Sequence, residues 1–158
     1  METKALIDLL REHPFLEGFK PPHIQKMAEM AHEVQFGRDQ MIFREGDECG
    51  LFYLILSGRI ALEVSAPGRI LRVHTVGPGE ELGWSSLLMG DLKHFQARTL
   101  EPVRALAFDG ARLRQTCEQD HGFGYLLMLQ LVRIVAQRLH ATRLQLLDIY
   151  APRGVKLI

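Results

Sequence analysis

The chain is short of cysteine, of tryptophan, of net charge and of long apolar runs, and each shortage closes off a class of protein. Two cysteines, Cys49 and Cys117, occur in 158 residues. They are too few for a disulfide framework or a four-thiolate cluster, and neither sits in a Cys-x-x-Cys pair. A reducing cytoplasm is the expected compartment. Nineteen basic and nineteen acidic side chains cancel, so no overall field draws the protein to nucleic acid or to an anionic membrane. No apolar run reaches the roughly 18 residues of a membrane helix, and charges interrupt the apolar positions of Met1 to Leu10, so neither membrane spanning nor secretion is expected. The seven histidines lack the i, i+4 spacing of a helical zinc site, and no serine stands in a Gly-x-Ser-x-Gly elbow. The expectation is a protein that is not an enzyme and carries neither metal nor cofactor.

With 47% hydrophobic residues, the chain is long enough for one well-filled core and too short for two. A single domain is expected over residues 1–150, with a tail at 151–158. Residues 1–33 read as two short helices: Leu6, Leu9 and Leu10 recur at helical spacing, and Pro21 and Pro22 open a second stretch with Ile24, Met27, Ala28 and Ala31 on one face. Phe15, Leu16 and Phe19 between them are suited to dock this section on a core. Residues 34–109 change texture to short β-type runs, 41–43, 51–56, 59–64, 70–76, 94–100 and 103–108, punctuated by glycines. That is a compact antiparallel barrel or roll. Helix returns after Gly110, briefly over 111–118 and then from about Phe123 to Tyr150, where Pro152 stops it. The fold class is therefore α+β.

The last helix carries a pattern that ordinary core packing does not require. Tyr125, Met128, Val132, Val135, Leu139, Thr142, Leu146 and Ile149 alternate steps of three and four over about three and a half heptads, the seam of a two-stranded coiled coil. Leu127, Leu131, Ile134 and Ala141 form a second stripe that can lie on the barrel. A homodimer through this helix is the expectation; the alternative is a helix buried on two sides within a monomer.

Three blocks carry a family resemblance. The first is Phe43-Arg44-Glu45-Gly46-Asp47 followed by Leu51-Phe52-Tyr53-Leu54-Ile55-Leu56-Ser57-Gly58. The second is the run from Leu82 to Lys93, and the third is Ala136-Gln137-Arg138-Leu139-His140-Ala141-Thr142. In order and spacing they resemble the cyclic-nucleotide-binding domain of catabolite-activator-type regulators, kinase regulatory subunits and gated channels. The likeness spans about residues 13–150. It implies an antiparallel β-roll, jelly-roll-like and of the double-stranded β-helix kind, flanked by N-terminal helices and a long C-terminal helix.

The resemblance also implies a ligand, cAMP or cGMP or a related anion, held between roll and long helix. In such a pocket a phosphate meets backbone N–H groups at a short helix start, where free donors favour an anion, and an arginine on the following strand. Leu82 and Gly83 lead into that start, Gly83 permits close approach, and Ser85 and Ser86 lie where hydroxyls and amides would face an anion. Two working residues are exchanged. Lys93 stands at the arginine's place and keeps the charge without the planar fork. Trp84 stands where the family has a glutamate for the ribose 2′-hydroxyl, and an indole N–H only donates, a loss on the order of 1 to 3 kcal/mol.

Each residue has a plainer reading beside the functional one. Trp84 is either an aromatic plug over a retired pocket or a stacking platform, and Lys93 is either a phosphate partner or a solvated lysine. His94 either donates to a phosphate or caps its strand. Arg98 falls off the Lys93 face under strict alternation and is expected to be exterior or paired with Glu101, a second-tier ligand candidate. Thr142 either reads a base edge, with Arg143 reaching the partner's ligand, or bonds the i−4 carbonyl of its own helix. DNA-binding members add a helix-turn-helix after the long helix, and only Ala151 to Ile158 follow here, so no direct DNA binding is expected. Two functions result: a cyclic-nucleotide sensor, or a binding-incompetent relative acting as a dimeric interaction module for an unidentified protein partner.

Overall fold

The computed structural model describes residues 2–48, 50–88 and 92–150. Cys49, the Met89-Gly90-Asp91 stretch of the loop and the 151–158 tail lie outside the described residues. The chain begins with helix α1 (Thr3–Glu12), a 3-10 turn (Pro14–Leu16) and helix α2 (Pro21–Met30). Pro21 and Pro22 occupy the first turn of α2, where a missing N–H costs nothing. Ala31 is already extended, and His32–Phe36 forms strand β1 against residues 103–107. The helical section thus ends ahead of the expected boundary at 33, because Val34 and Phe36 pack into the roll and override the helical pattern before them.

Seven further strands follow: β2 (Met41–Phe43), β3 (Leu51–Ser57), β4 (Ile60–Ala66), β5 (Arg69–Val76), β6 (Glu81–Leu82), β7 (Gln96–Thr99) and β8 (Val103–Asp109). They form two four-stranded sheets, in the orders β1-β8-β3-β6 and β2-β7-β4-β5, with every pairing antiparallel. The architecture is the expected α+β β-roll. Alternation in β8 sends Ala105 and Ala107 into the space between sheets and Leu106 and Phe108 to the helical side. The small residues inside let the two sheets close on Ile55, Ile60, Leu62, Val76 and Leu82.

A larger cluster forms where the helices lie on the first sheet. Leu6, Leu10, Phe15, Leu16, Ile24 and Met27 meet Phe52, Leu54, Leu106 and Phe108. Phe15 meets Phe52 in a tilted contact with ring centroids 5.4 Å apart. Helix α3 (Gly110–Gln119) starts at Asp109, whose carboxylate caps the Ala111 and Arg112 amides. Helix α4 (His121–Tyr150) then returns over the cluster through Phe123, Leu127 and Leu131. Asp120 at its start accepts from Lys26 Nζ at 2.5 Å and from the Phe123 amide. These bonds hold its carboxyl down to about 2. Beyond Leu131 only Ile134 and Arg138 are partly buried, and residues 141–150 are exposed throughout. None of the described helices is long and apolar enough to cross a membrane.

His13 links the N-terminal turn to the roll. Its Nε2 lies 3.0 Å from the Ile55 carbonyl oxygen, and Nδ1 accepts from the Phe15 amide at 3.2 Å. Only a neutral imidazole makes both bonds, and burial holds its pKa below the ordinary value. His74 is shifted the same way. A depressed histidine binds its proton more tightly in the unfolded chain, so stability is full above pH 6.5 and falls as pH drops toward the folded values. The melting temperature is therefore expected to fall between pH 7.5 and pH 5.5. His13→Gln should shrink that fall, leaving the His74 part, in paired thermal melts.

Candidate ligand-binding hollow

Gly83 ends β6 with φ +83°, and a Cβ there would lie 2.6 Å from the Leu51 carbonyl oxygen. Only glycine makes this corner. The 3-10 turn Trp84–Leu87 follows. Its Ser86 amide does not face an anion, because it donates to the Gly83 carbonyl at 2.9 Å to close the turn. The Ser86 side chain is fully buried, and its backbone fits against Gly110, with its carbonyl accepting from Arg114. The anion role expected of Ser86 is thus corrected: the turn consumes its N–H, and the contact with α3 draws the residue inward.

Lys93 is placed by the first sequence block. The Gly46 amide donates to the Lys93 carbonyl at 2.8 Å, and the Lys93 amide donates to the Asp47 carbonyl at 2.9 Å. The side chain does not run to water: the residue is 6% exposed. Its Nζ lies 4.3 Å from the centre of the Phe43 ring and 3.5 Å from Ser85 Oγ, a cation–π geometry worth roughly 0.5 to 2 kcal/mol. Lys93 lines a hollow of about 180 Å³ together with Leu82, Gly83, Trp84, Ser85 and His94. Six of the residues expected at the ligand meet there. His94 itself is exposed at the rim.

A second hollow of about 440 Å³ adjoins the first and shares Leu62, Trp84, Phe95 and Arg138 with it. Its other wall is α4, through Val135, Leu139, Ala141, Thr142 and Gln145. Opposite them stand Val73 and His74, brought there by a bulge in β5 where Leu62 pairs with His74 and Glu63 with Arg72. The Thr142 hydroxyl donates to the Arg138 carbonyl at 2.9 Å, which is the i−4 bond. Arg143 is exposed and lines neither hollow in this chain.

Arg98 belongs elsewhere. Its guanidinium grips Glu63 through Nε at 3.1 Å and Nη2 at 2.8 Å, and Asp39 through Nη1 at 2.7 Å. The partnership expected with Glu101 is corrected, since Glu101 faces Arg59 at 3.7 Å. The cause is register: Ala61 pairs with Arg98 and Glu63 with Gln96, so Glu63 lies diagonal to Arg98 on the neighbouring strand. Arg98 and Gln96 hold the Glu63 carboxyl below its ordinary range.

The residue that sequence reading missed is Arg138. It lines both hollows and bridges across to Glu81, meeting its carboxylate and, at 3.5 Å, its backbone carbonyl. Glu81 is almost fully buried, and burial pushes its pKa up, against the pull of Arg138. A signal was present: Arg138 is a charge on the stripe Leu131, Ile134 and Ala141, where helical spacing calls for an apolar residue. Phe43, Leu62, Phe95 and His74 complete the lining and are not separable from ordinary core residues by pattern.

Residues 33–120 match the family model of the cyclic nucleotide-binding domain. The chain belongs to this family. This cyclic nucleotide-binding domain is 27% identical over 143 residues to the CRP-like cAMP-activated global transcriptional regulator of Mycobacterium tuberculosis H37Rv, covering 90% of this chain and 62% of that protein. It therefore spans less than two thirds of that relative. A solved structure from Geobacter metallireducens GS-15, described as a cyclic nucleotide-binding protein, superposes with a TM-score of 0.74 at 28% identity, over 89% of this chain and 99% of that one. The Catabolite Activator Protein of Thermus thermophilus shares the fold, with a TM-score of 0.71 at 24% identity over 84% and 61% of the two chains.

Removing Arg138 leaves a buried acid without its cation, which costs about 3 to 5 kcal/mol. Arg138→Met is expected to destabilise by that order at pH 7.5 in urea denaturation. Without Arg138 the folded pKa of Glu81 rises further above its unfolded value, so the loss is full above that folded pKa and is relieved as pH falls through it. A deficit that stays constant down to pH 5 would contradict the burial of Glu81 as a charge.

Proposed function

We propose that this chain is a non-catalytic, cytoplasmic regulatory domain that holds a small anionic ligand, a cyclic nucleotide or a related anion, between the β-roll and α4, and that it acts as a homodimer through α4. One observation carries the reading. Val135, Leu139 and Thr142 belong both to the coiled-coil seam and to the wall of the larger hollow. A ligand in the hollow and a partner helix on the seam therefore press on the same residues. Occupancy that favours one position of α4 over another shifts the population of helix positions. The seam is unpartnered within the chain: Tyr125, Met128, Val132, Val135, Leu139, Leu146 and Ile149 are all exposed large hydrophobics. A second copy presenting the same stripe covers it by symmetry, the commonest arrangement for such a surface.

The anion is met by Lys93 and Ser85 rather than by an arginine fork, and Trp84 offers no acceptor to a ribose hydroxyl. Cyclic nucleotides are accordingly expected to bind with affinity lowered about 10- to 100-fold relative to a site that keeps both groups, the equivalent of 1 to 3 kcal/mol. Calorimetry with cAMP, cGMP and a cyclic dinucleotide measures this, with Lys93→Met as the control that abolishes the heat. The second reading, a dimeric interaction module without ligand, is favoured by Arg138 standing in the hollow and already engaged by Glu81. It gains if small anions of every kind leave the folded protein unchanged. Assembly is tested separately: Leu139→Glu is expected to give monomers by sedimentation. Dimers surviving that change would place the interface elsewhere.

A further inference from the structure

Resting on the reading of the larger hollow as part of a ligand site, we infer that His74 is a ligand contact there and that an anionic ligand binds together with a proton, held on the His74 imidazole. Strand geometry puts the ring in place. The bulge in β5 pairs His74 with Leu62, a residue of the core between the sheets, while Arg72 pairs with Glu63 on the outer face. Two residues on, Val76 is fully buried. His74 is half-buried at the mouth of that core, where it lines the larger hollow and an adjoining cavity of about 200 Å³.

The ring is not committed to the fold. Its nearest polar approach is Nε2 to Glu80 Oε2 at 3.8 Å, too long for a hydrogen bond. From the other wall Arg138 lines the same two cavities, so a ligand in the larger hollow lies between a basic group of the roll and one of α4. Around His74 the charged groups are Glu80 and Glu81, which precede the Trp84 corner, and Arg138; β4 presents Leu62, and the rest of the α4 lining is uncharged. With a neutral imidazole, two acids face one cation. Burial, aided by Arg138, holds the His74 pKa below its ordinary value, so the free site keeps the ring neutral at pH 7.5. A bound anion adds negative charge to a set that already leans negative, and a proton on His74 offsets it. The ligand therefore tightens as pH falls, down to the pKa of the free histidine, below which free and bound protein both carry the proton.

The test is a titration of the full chain with cAMP and cGMP, whose phosphodiester keeps one charge from pH 5.5 to 7.5. In a pH-stat at pH 6.5, binding is expected to take up about half a proton per ligand. Calorimetry should show affinity rising about fivefold from pH 7.5 to pH 5.5. His74→Gln, polar and without a titration of its own, should abolish the uptake and flatten the profile. A melting temperature near that of the wild type at pH 7.5 separates this from a folding defect. Binding without uptake, or with affinity independent of pH, would overturn the inference and leave the site reading standing. Uptake that survives His74→Gln would assign the proton to Glu81 or His94 and overturn it as well. No heat from either nucleotide, in folded protein, would overturn the site reading, and the inference falls with it.

Discussion

The contact between Arg138 on α4 and Glu81 at the edge of the roll is the constraint on which the arrangement turns. Each partner is unfavourable alone: Glu81 is a buried acid, and Arg138 is a charge on a helix stripe that otherwise packs against the sheet. Joined, they hold α4 to the roll one turn beyond Ile134, the last of its apolar residues that packs on the core cluster. The two hollows exist because of that placement. Arg138 is part of the wall of each, and the helix residues that close the larger one, from Val135 to Gln145, lie within two turns of it on either side.

From this contact outward, the parts of the site depend on one another. Glu81 leads directly into Leu82 and Gly83, whose left-handed corner brings the Trp84 turn against the carbonyl of Leu51. The same corner leaves room for the Lys93 ammonium, and the Gly46 and Asp47 backbone holds Lys93 from the other side. A buried cation, a hydroxyl and a group of aromatic rings are thus assembled from three separate stretches of sequence. The smaller hollow so formed sets an indole and other aromatic rings beside two cations, Lys93 and the Glu81-bound Arg138.

Much of the fold was legible because its signals are local. The glycines at tight corners, the proline pair opening α2 and the period-two runs each name their element without tertiary context. Strands β1 and β6 were not legible. One begins directly where a helical pattern ends, and the other has two residues, whose strand character comes from pairing with Tyr53 and Leu54. Gly83, Trp84, Ser85 and Lys93, which the sequence grouped within one eleven-residue stretch, line one hollow. The sequence misplaced Ser86, because a residue's side in a short turn depends on what α3 packs against it. It missed Arg138 and Glu81 as a pair, since they are 57 residues apart and no local pattern links them.

The most direct measurement of the central constraint is amide hydrogen exchange along α4, in the wild type and in Glu81→Gln. If the Arg138–Glu81 contact holds the helix to the roll, exchange over residues 134–142 should rise about tenfold, a loss of about 1.4 kcal/mol of local protection. That would bring it toward the exposed stretch 143–150, with residues 123–131 unchanged. Unaltered exchange over 134–142 would mean that α4 is held there by something else, and would contradict the account.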